Sequence, residues 1–170
     1  MLLKIKLFFL KFLIAFLKQI KSEFGEKGAS MSFESDSNVQ KVATTYADDC
    51  VNWVKENSTG SIEYQDRNII AIEGFLDDLS KYYQKNTMPL ERLDSFSKMF
   101  GFYIGEVYRR NHAGVNWGYL TIDGNKQYAL GRKASGGAHF CPITKVKKRV
   151  MEGPEENVLV YYRALLENKI

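Results

Sequence analysis

The spacing of apolar residues constrains the fold more than any other feature of this sequence, because it follows a helical period over most of the chain. Apolar residues recur at three- and four-residue steps over residues 37–56, 66–84 and 87–110. This spacing predicts three amphipathic helices. Asp66 is expected to cap the second helix, since its carboxylate can accept free amide hydrogens of the first turn.

The helical period stops after residue 110 and short strands replace it. Residues 115–122 and 126–132 flank Asp123-Gly124, a dipeptide typical of tight hairpin turns. A third strand is predicted at residues 138–141, after the Gly136-Gly137 break. Together these segments predict a short antiparallel sheet of about three strands.

Helical spacing returns in two C-terminal segments, residues 142–151 and the stretch that follows Pro154. The outer face of the first of these helices is expected to carry four basic residues, Lys145, Lys147, Lys148 and Arg149. Three helices, then a short sheet, then two helices predict the α+β class. We assign residues 38–170 to a single α+β domain, because a body of about 140 residues can bury one real core.

Two glycines lie inside the predicted third helix, four residues apart at Gly101 and Gly105. Each costs about 1 kcal/mol relative to alanine in a helix interior. A compensating packing reason is therefore expected, and the simplest is that another element approaches closely over this face.

The N-terminal segment is apolar but interrupted by lysines at seven-residue intervals. Its uncharged runs are much shorter than the roughly 20 residues that a membrane-spanning helix needs. We predict a basic amphipathic helix over residues 1–22 and a linker over residues 23–37. If that helix lies on a membrane, the membrane-facing residues would be Lys4, Phe8, Lys11, Phe12, Phe16 and Lys18.

Two other interpretations of this segment stay open. A secretory signal fits the basic start, but no small-x-small cleavage site follows. Alternatively, the segment is not part of the working protein, and the chain begins at Met31 with an ordinary soluble start.

The charge of the chain is concentrated in its N-terminal segment. Six of the 24 basic and two of the 20 acidic residues lie within residues 1–30, so the remainder carries 18 of each and is neutral. A neutral body has no general affinity for nucleic acid. Residues 31–88 nevertheless hold five basic and ten acidic side chains, against thirteen and eight in residues 89–170. The electric field of this uneven charge distribution can steer a charged protein partner towards the domain. An ordinary solvated surface whose charges are uneven by chance would show the same counts.

Familiar catalytic signatures are absent from the sequence: there is no phosphate-binding glycine loop, HExxH or GxSxG. The cysteines and histidines lack zinc-ligand spacing, so we predict neither a metal nor a cofactor. His112, His139 and Cys141 are the nucleophile and base candidates. Cys141 precedes a proline in an apolar context, which favours a structural thiol, and no catalytic residue is assigned.

A polar cluster is predicted where the third helix ends. Glu106 and Arg110 are four residues apart and therefore face each other on one turn. One interpretation is a helix-end salt bridge; the other is a polar cluster beneath the strand of Trp117, open to a ligand. On the second interpretation the ligand- or partner-binding residues are Glu106, Arg109, Arg110, Trp117 and His139.

A resemblance extends over about residues 65–168. It rests on a Gly-x-x-x-Gly-Glu motif, a basic residue, a Gly-x-x-Trp strand and a Pro-x-x-Lys-Val motif before the last helix. The matching residues are Gly101, Gly105, Glu106, Arg110, Gly114, Trp117, Pro142, Lys145 and Val146. The chain resembles a bacterial family of small uncharacterised domains, which implies a fold but almost no chemistry. In size and composition such members are similar to stand-alone accessory or toxin-neutralising proteins.

The expected function is that of a non-enzymatic protein-binding domain of immunity or accessory type, with a protein partner and no nucleic acid. One alternative is an enzyme that uses Glu106, Arg110, Trp117 and His139, which requires these side chains to converge in a pocket. Another is a peripheral membrane protein anchored by residues 2–21. The expected location is the cytoplasm, with membrane association under the last alternative.

Overall fold

A computed structural model describes residues 31–85, 87–131 and 140–167. Within them the fold is α+β, as predicted, with five α-helices and a three-stranded antiparallel sheet. In chain order the elements are β1 (Met31–Ser35), α1 (Ser37–Asn57), α2 (Ile69–Gln84), α3 (Leu90–Asn111), β2 (Asn116–Ile122), β3 (Asn125–Gly131), α4 (Pro142–Glu152) and α5 (Val158–Leu166). The amphipathic N-terminal helix predicted for residues 1–22 lies outside the described residues.

The sheet has the order β1-β2-β3, and its first strand is an element that the sequence analysis placed in the linker over residues 23–37. Phe33 pairs with Leu120, and Ser35 pairs with Gly118. A Cβ atom on Gly118 would lie 2.0 Å from the carbonyl oxygen of Glu34, so glycine allows this close approach. In the strand predicted at residues 138–141, the described part shows one bridge, between Leu130 and Phe140.

The predicted hairpin turn joins β2 and β3. Asp123 has φ 49° and Gly124 has φ 82°, so both central residues adopt the left-handed conformation that two-residue hairpin loops require. This local signal fixes the register in which Ile122 faces Asn125.

Helix α3 is the centre of the core, and nine consecutive residues from Phe100 to Tyr108 are buried in it. The sheet, α1 and α4 surround it. A Cβ atom on Gly101 would lie 2.6 Å from Cα of Ile143, and one on Gly105 would lie 2.2 Å from Cζ2 of Trp117. The expectation of a close approach over the glycine face is therefore confirmed.

Asp66 does not cap α2, contrary to the sequence expectation. It begins a 3-10 turn, and α2 starts three residues later at Ile69 with no side-chain cap. The carboxylate of Asp66 instead accepts a hydrogen bond from the hydroxyl of Tyr162 (2.6 Å) and lies 3.0 Å from Nε2 of His112. These long-range partners outcompete the local amide hydrogens.

Arg149 is also placed differently from the prediction, because it is 2 % exposed rather than part of the outer basic face of α4. Its Nε donates to Glu73 and its Nη2 donates to Asp77, both over 2.7 Å. Glu73 in turn accepts the backbone amide of Val158 over 2.8 Å. This cluster joins α2, α4 and the start of α5. The two carboxylates offset part of the cost of burying the guanidinium, whose Nη1 has no partner among the described residues.

Candidate binding site

The candidate site is built around one buried carboxylate at the C-terminal end of α3. Glu106 is fully buried. The missing side chain of Gly105 lets the ring of Trp117 pack against the helix beside it. From there the indole Nε1 of Trp117 donates to Oε1 of Glu106, and Nε2 of Gln40 in α1 donates to the same oxygen, both over 2.9 Å.

Two consecutive arginines complete the coordination of this carboxylate. Arg109 donates from Nε to Oε1 (2.7 Å) and from Nη2 to Oε2 (3.1 Å), while Arg110 donates from Nε to Oε2 over 3.0 Å. Glu106 therefore accepts three hydrogen bonds on Oε1 and two on Oε2. Its acceptor positions are occupied by groups from α1, α3 and β2.

The surroundings of Glu106 keep it ionised. Burial alone would raise the pKa of its carboxyl, but the hydrogen bonds from Arg109, Gln40 and Arg110 outweigh burial and lower that pKa below its usual value. The ionised carboxylate holds both arginines through hydrogen bonds.

Arg110 also lies over an aromatic ring. Its guanidinium carbon is 3.5 Å from the centroid of Tyr64, a cation–π contact. The Tyr64 hydroxyl donates to Asp48 over 2.5 Å, and its backbone carbonyl accepts from the side-chain amide of Asn111 over 2.9 Å. Burial and the bond to Asp48 raise the pKa of Tyr64, so its hydroxyl stays protonated. The ring is thus held at both ends.

The two arginines combine fixed positions with access to solvent. Their side chains are 30 % and 33 % exposed, whereas Glu106 is 0 % exposed. Within residues 31–85, 87–131 and 140–167, the hydrogen bonds of Arg110 to protein use Nε alone. Those of Arg109 use Nε and Nη2. No described protein group accepts from the remaining guanidinium donors.

A shallow cleft of about 260 Å³ adjoins the buried carboxylate between β1, α1 and β2. Its lining residues are Ser35, Asp36, Ser37, Gln40, Asn116 and Trp117. Gln40 and Trp117 belong both to the cleft and to the coordination of Glu106. A ligand in this cleft would contact two of the groups that donate hydrogen bonds to Glu106.

Four of the five predicted site residues come together: Glu106, Arg109, Arg110 and Trp117. His139 lies outside the described residues. Gln40 and Tyr64 were not predicted as site residues, because no local sequence pattern marks either of them. Both are far from α3 in sequence and reach the site through the tertiary fold.

The other two reactive candidates in the described part of the chain, Cys141 and His112, make no hydrogen bond to Glu106, Arg109, Arg110 or Trp117. Burial raises the pKa of the Cys141 thiol to about 11, so the thiolate is scarce at neutral pH. His112 contacts Asp66 and packs on the ring of Tyr108. Among the described residues, no three His, Cys, Asp or Glu side chains are grouped so that they could hold a metal ion. In that same part of the chain, no helix has both the length and the apolar character needed to cross a membrane.

Comparison with known proteins identifies the family and the fold. A crystal structure from Bacteroides thetaiotaomicron VPI-5482 is similar with a TM-score of 0.53 at 13 % sequence identity, which shows a shared fold alone. The alignment covers 85 % of this chain and 50 % of that one, so the chain spans about half the length of this relative. No curated protein matches the sequence.

Residues 78–162, half of the chain, match the family described as Domain of unknown function (DUF3806). The matched region contains Glu106, both arginines and Trp117, while Gln40 and Tyr64 precede it. The chain therefore belongs to the DUF3806 family of domains of unknown function.

Proposed function

We propose that this domain is a non-enzymatic protein-binding module, of accessory or immunity type, whose contact surface is centred on Arg109 and Arg110. The observation that carries the proposal is the fixing of two partly exposed arginines by one buried carboxylate. Arginine and tyrosine are enriched among the residues that dominate binding energy at protein interfaces. Tyr64, under Arg110, adds the aromatic component of such a surface.

Fixing the arginines before a partner arrives favours binding. Ordering a flexible side chain at an interface costs about 0.5–1.5 kcal/mol. Here Glu106 holds both guanidinium groups, and Tyr64 additionally supports Arg110. Much of this ordering cost is met during folding, so a larger share of the contact energy remains for association.

The charge of the site indicates an acidic partner. Glu106 compensates one of its two arginines, which leaves one uncompensated positive charge at the partly exposed end of α3. Residues 89–170, which include this end of the helix, hold thirteen basic and eight acidic side chains. Complementary charge steers association and penalises partners of the wrong sign.

Quantitative affinity purification from cells that express the protein tests the proposal. The bait proteins are the wild type, Arg110→Gln, and the matched control Arg163→Gln, which removes an exposed arginine from α5. A protein recovered with the wild type and with the control, but depleted with Arg110→Gln, supports this surface. Equal recovery with all three baits, or no reproducible partner with the wild type, contradicts the proposal.

The immunity interpretation has its own test. If a neighbouring gene encodes a toxin, co-expression of the wild-type domain should restore growth, and Arg110→Gln should restore it less well than Arg163→Gln. Equal protection by the two variants would place the toxin contact elsewhere on the domain.

A further inference from the structure

We infer that Arg110 binds a side-chain carboxylate of the partner through its two terminal nitrogens, on the platform that Tyr64 provides. This inference rests on the proposed function, since it names the chemical group that the same surface recognises. The guanidinium of Arg110 uses one of its nitrogens to bind Glu106, and its side chain is 33 % exposed.

The Nε atom of Arg110 is committed to Oε2 of Glu106 over 3.0 Å. Within the described part of the chain, Nη1 and Nη2 make no hydrogen bond to protein. These two nitrogens form the end-on edge of the guanidinium. They present parallel N–H bonds at the spacing of the two oxygens of a carboxylate, which allows bidentate binding.

The plane of this edge is fixed before any ligand binds. Glu106 holds one side of the guanidinium, and the Tyr64 ring lies 3.5 Å from its central carbon. Tyr64 is itself held by its hydrogen bond to Asp48 and by ring contact with Tyr103, at 5.6 Å between centroids. A carboxylate that reaches Arg110 therefore meets two terminal N–H donors whose orientation is already fixed.

The charges of the site favour a carboxylate over a phosphate. Glu106, Arg109 and Arg110 together carry one net positive charge, which a single carboxylate neutralises. A phosphate group carries roughly 1.5 to 2 negative charges at neutral pH. Asp48, whose carboxylate accepts the Tyr64 hydroxyl, would repel this larger charge more strongly than that of a single carboxylate.

Nuclear magnetic resonance can test this inference on the full chain. The protein has two tryptophans, so the indole N–H of Trp117 is a reporter bonded to Glu106, and that of Trp53 is an internal control. The probes are an acetylated and amidated tetraglutamate peptide, the corresponding tetraglutamine peptide, and inorganic phosphate at equal ionic strength.

We expect tetraglutamate to give a saturating shift of the Trp117 and Arg110 Nε signals, with Trp53 unchanged and tetraglutamine inert. The variant Arg110→Gln should bind at least about tenfold more weakly, while Arg163→Gln should match the wild type. Arg110→Lys should fall near Arg110→Gln, because lysine keeps the charge but has no bidentate edge.

The inference is overturned if tetraglutamate causes no shift, if phosphate binds as tightly, or if Arg110→Lys binds like the wild type. Its failure can be separated from that of the proposed function. If a partner is depleted with the Arg110→Gln bait but the wild type does not bind tetraglutamate, only the bidentate contact between Arg110 and a carboxylate is contradicted. Tetraglutamate binding without any protein partner contradicts only the proposed function.

Discussion

The indole Nε1 of Trp117 in β2 donates to Oε1 of Glu106 in α3 over 2.9 Å, and both side chains are almost completely buried. The same oxygen accepts from Nε of Arg109, which is partly exposed. One carboxylate thus joins the packing of the sheet on the helix to the arrangement of the surface arginines. Changes at Glu106 should therefore affect both stability and binding.

Loss of the Glu106 charge should be costly. Replacing Glu106 with alanine leaves the buried indole N–H of Trp117 without its acceptor and two partly exposed arginines without their counter-ion, and we expect it to lower the free energy of unfolding by about 2–4 kcal/mol. Glu106→Gln keeps the volume and a carbonyl acceptor, so a loss of about 1–3 kcal/mol is expected. Urea denaturation followed by circular dichroism measures both. Equal stability of the alanine variant and the wild type would contradict the account.

Gly105 should tolerate no side chain, because a Cβ atom there would lie 2.2 Å from the Trp117 ring. We expect Gly105→Ala to destabilise the fold by about 1–3 kcal/mol through overpacking. Gly74 in α2 is the matched control, since nothing lies within 4 Å of its added Cβ. Gly74→Ala should raise stability by up to about 1 kcal/mol. Thermal melts give the melting temperature of each variant. A change of the same sign in both variants would show that the close approach of Trp117 to Gly105 does not exclude a side chain there.

Two basic residues of α4 should differ sharply although they are two positions apart. Arg149 is buried between Glu73 and Asp77, and Arg149→Met should cost about 3–5 kcal/mol. Lys147 pairs with Asp94 at the surface, with the two side chains 42 % and 53 % exposed. Lys147→Met should cost less than about 1 kcal/mol. Chemical denaturation measures the free energy of unfolding of both variants. Comparable losses of stability would contradict the buried position of Arg149.

Cys141 should react slowly in the native protein. Burial raises the pKa of its thiol to about 11, and burial also raises that of Cys50. At pH 7 we expect alkylation by iodoacetamide to be slow until a denaturant is added, because the thiolate is the reactive form. Labelling of the native protein is quantified by mass spectrometry. Rapid modification of Cys141 under these conditions would instead favour a reactive thiol.

Local signals in the sequence predicted the parts of the fold that local interactions determine. The helix spacing of α1 and α3, and the Asp123-Gly124 turn, need no distant contact to be recognised. Strand β1 was missed because Phe33 is its one strongly apolar interior residue, and its partner Leu120 lies far along the chain. Pairing with β2 therefore decides its structure.

The site was predictable only where its residues are neighbours in sequence. Glu106, Arg109 and Arg110 share one helix end, so their pairing followed from helix geometry. Gln40 is 66 positions from Glu106, and their hydrogen bond depends on how α1 packs against α3. The burial of Arg149 could not be predicted from its basic sequence neighbours, because its acidic partners lie on a different helix.

The pH dependence of stability should reflect the protonation of the Glu106 carboxylate. Arg109, Gln40 and Arg110 hold the pKa of Glu106 below its usual value in the folded protein, although burial alone would raise that pKa. The stability that this shift contributes is fully present above the unfolded-state pKa of about 4.3. It is lost as the pH falls through the lower folded-state pKa. Glu106→Gln should show a flatter decline of stability below pH 4.

The most direct test of the account is the carboxyl ¹³C chemical shift of Glu106, followed by nuclear magnetic resonance from pH 7 downwards in the folded protein. We predict an ionised carboxylate whose titration midpoint lies below the ordinary glutamate value of about 4.3. The Trp117 indole signal should change over the same pH range. A midpoint at or above that value would show that the arginines do not outweigh burial, and would contradict the proposed carboxylate-anchored site.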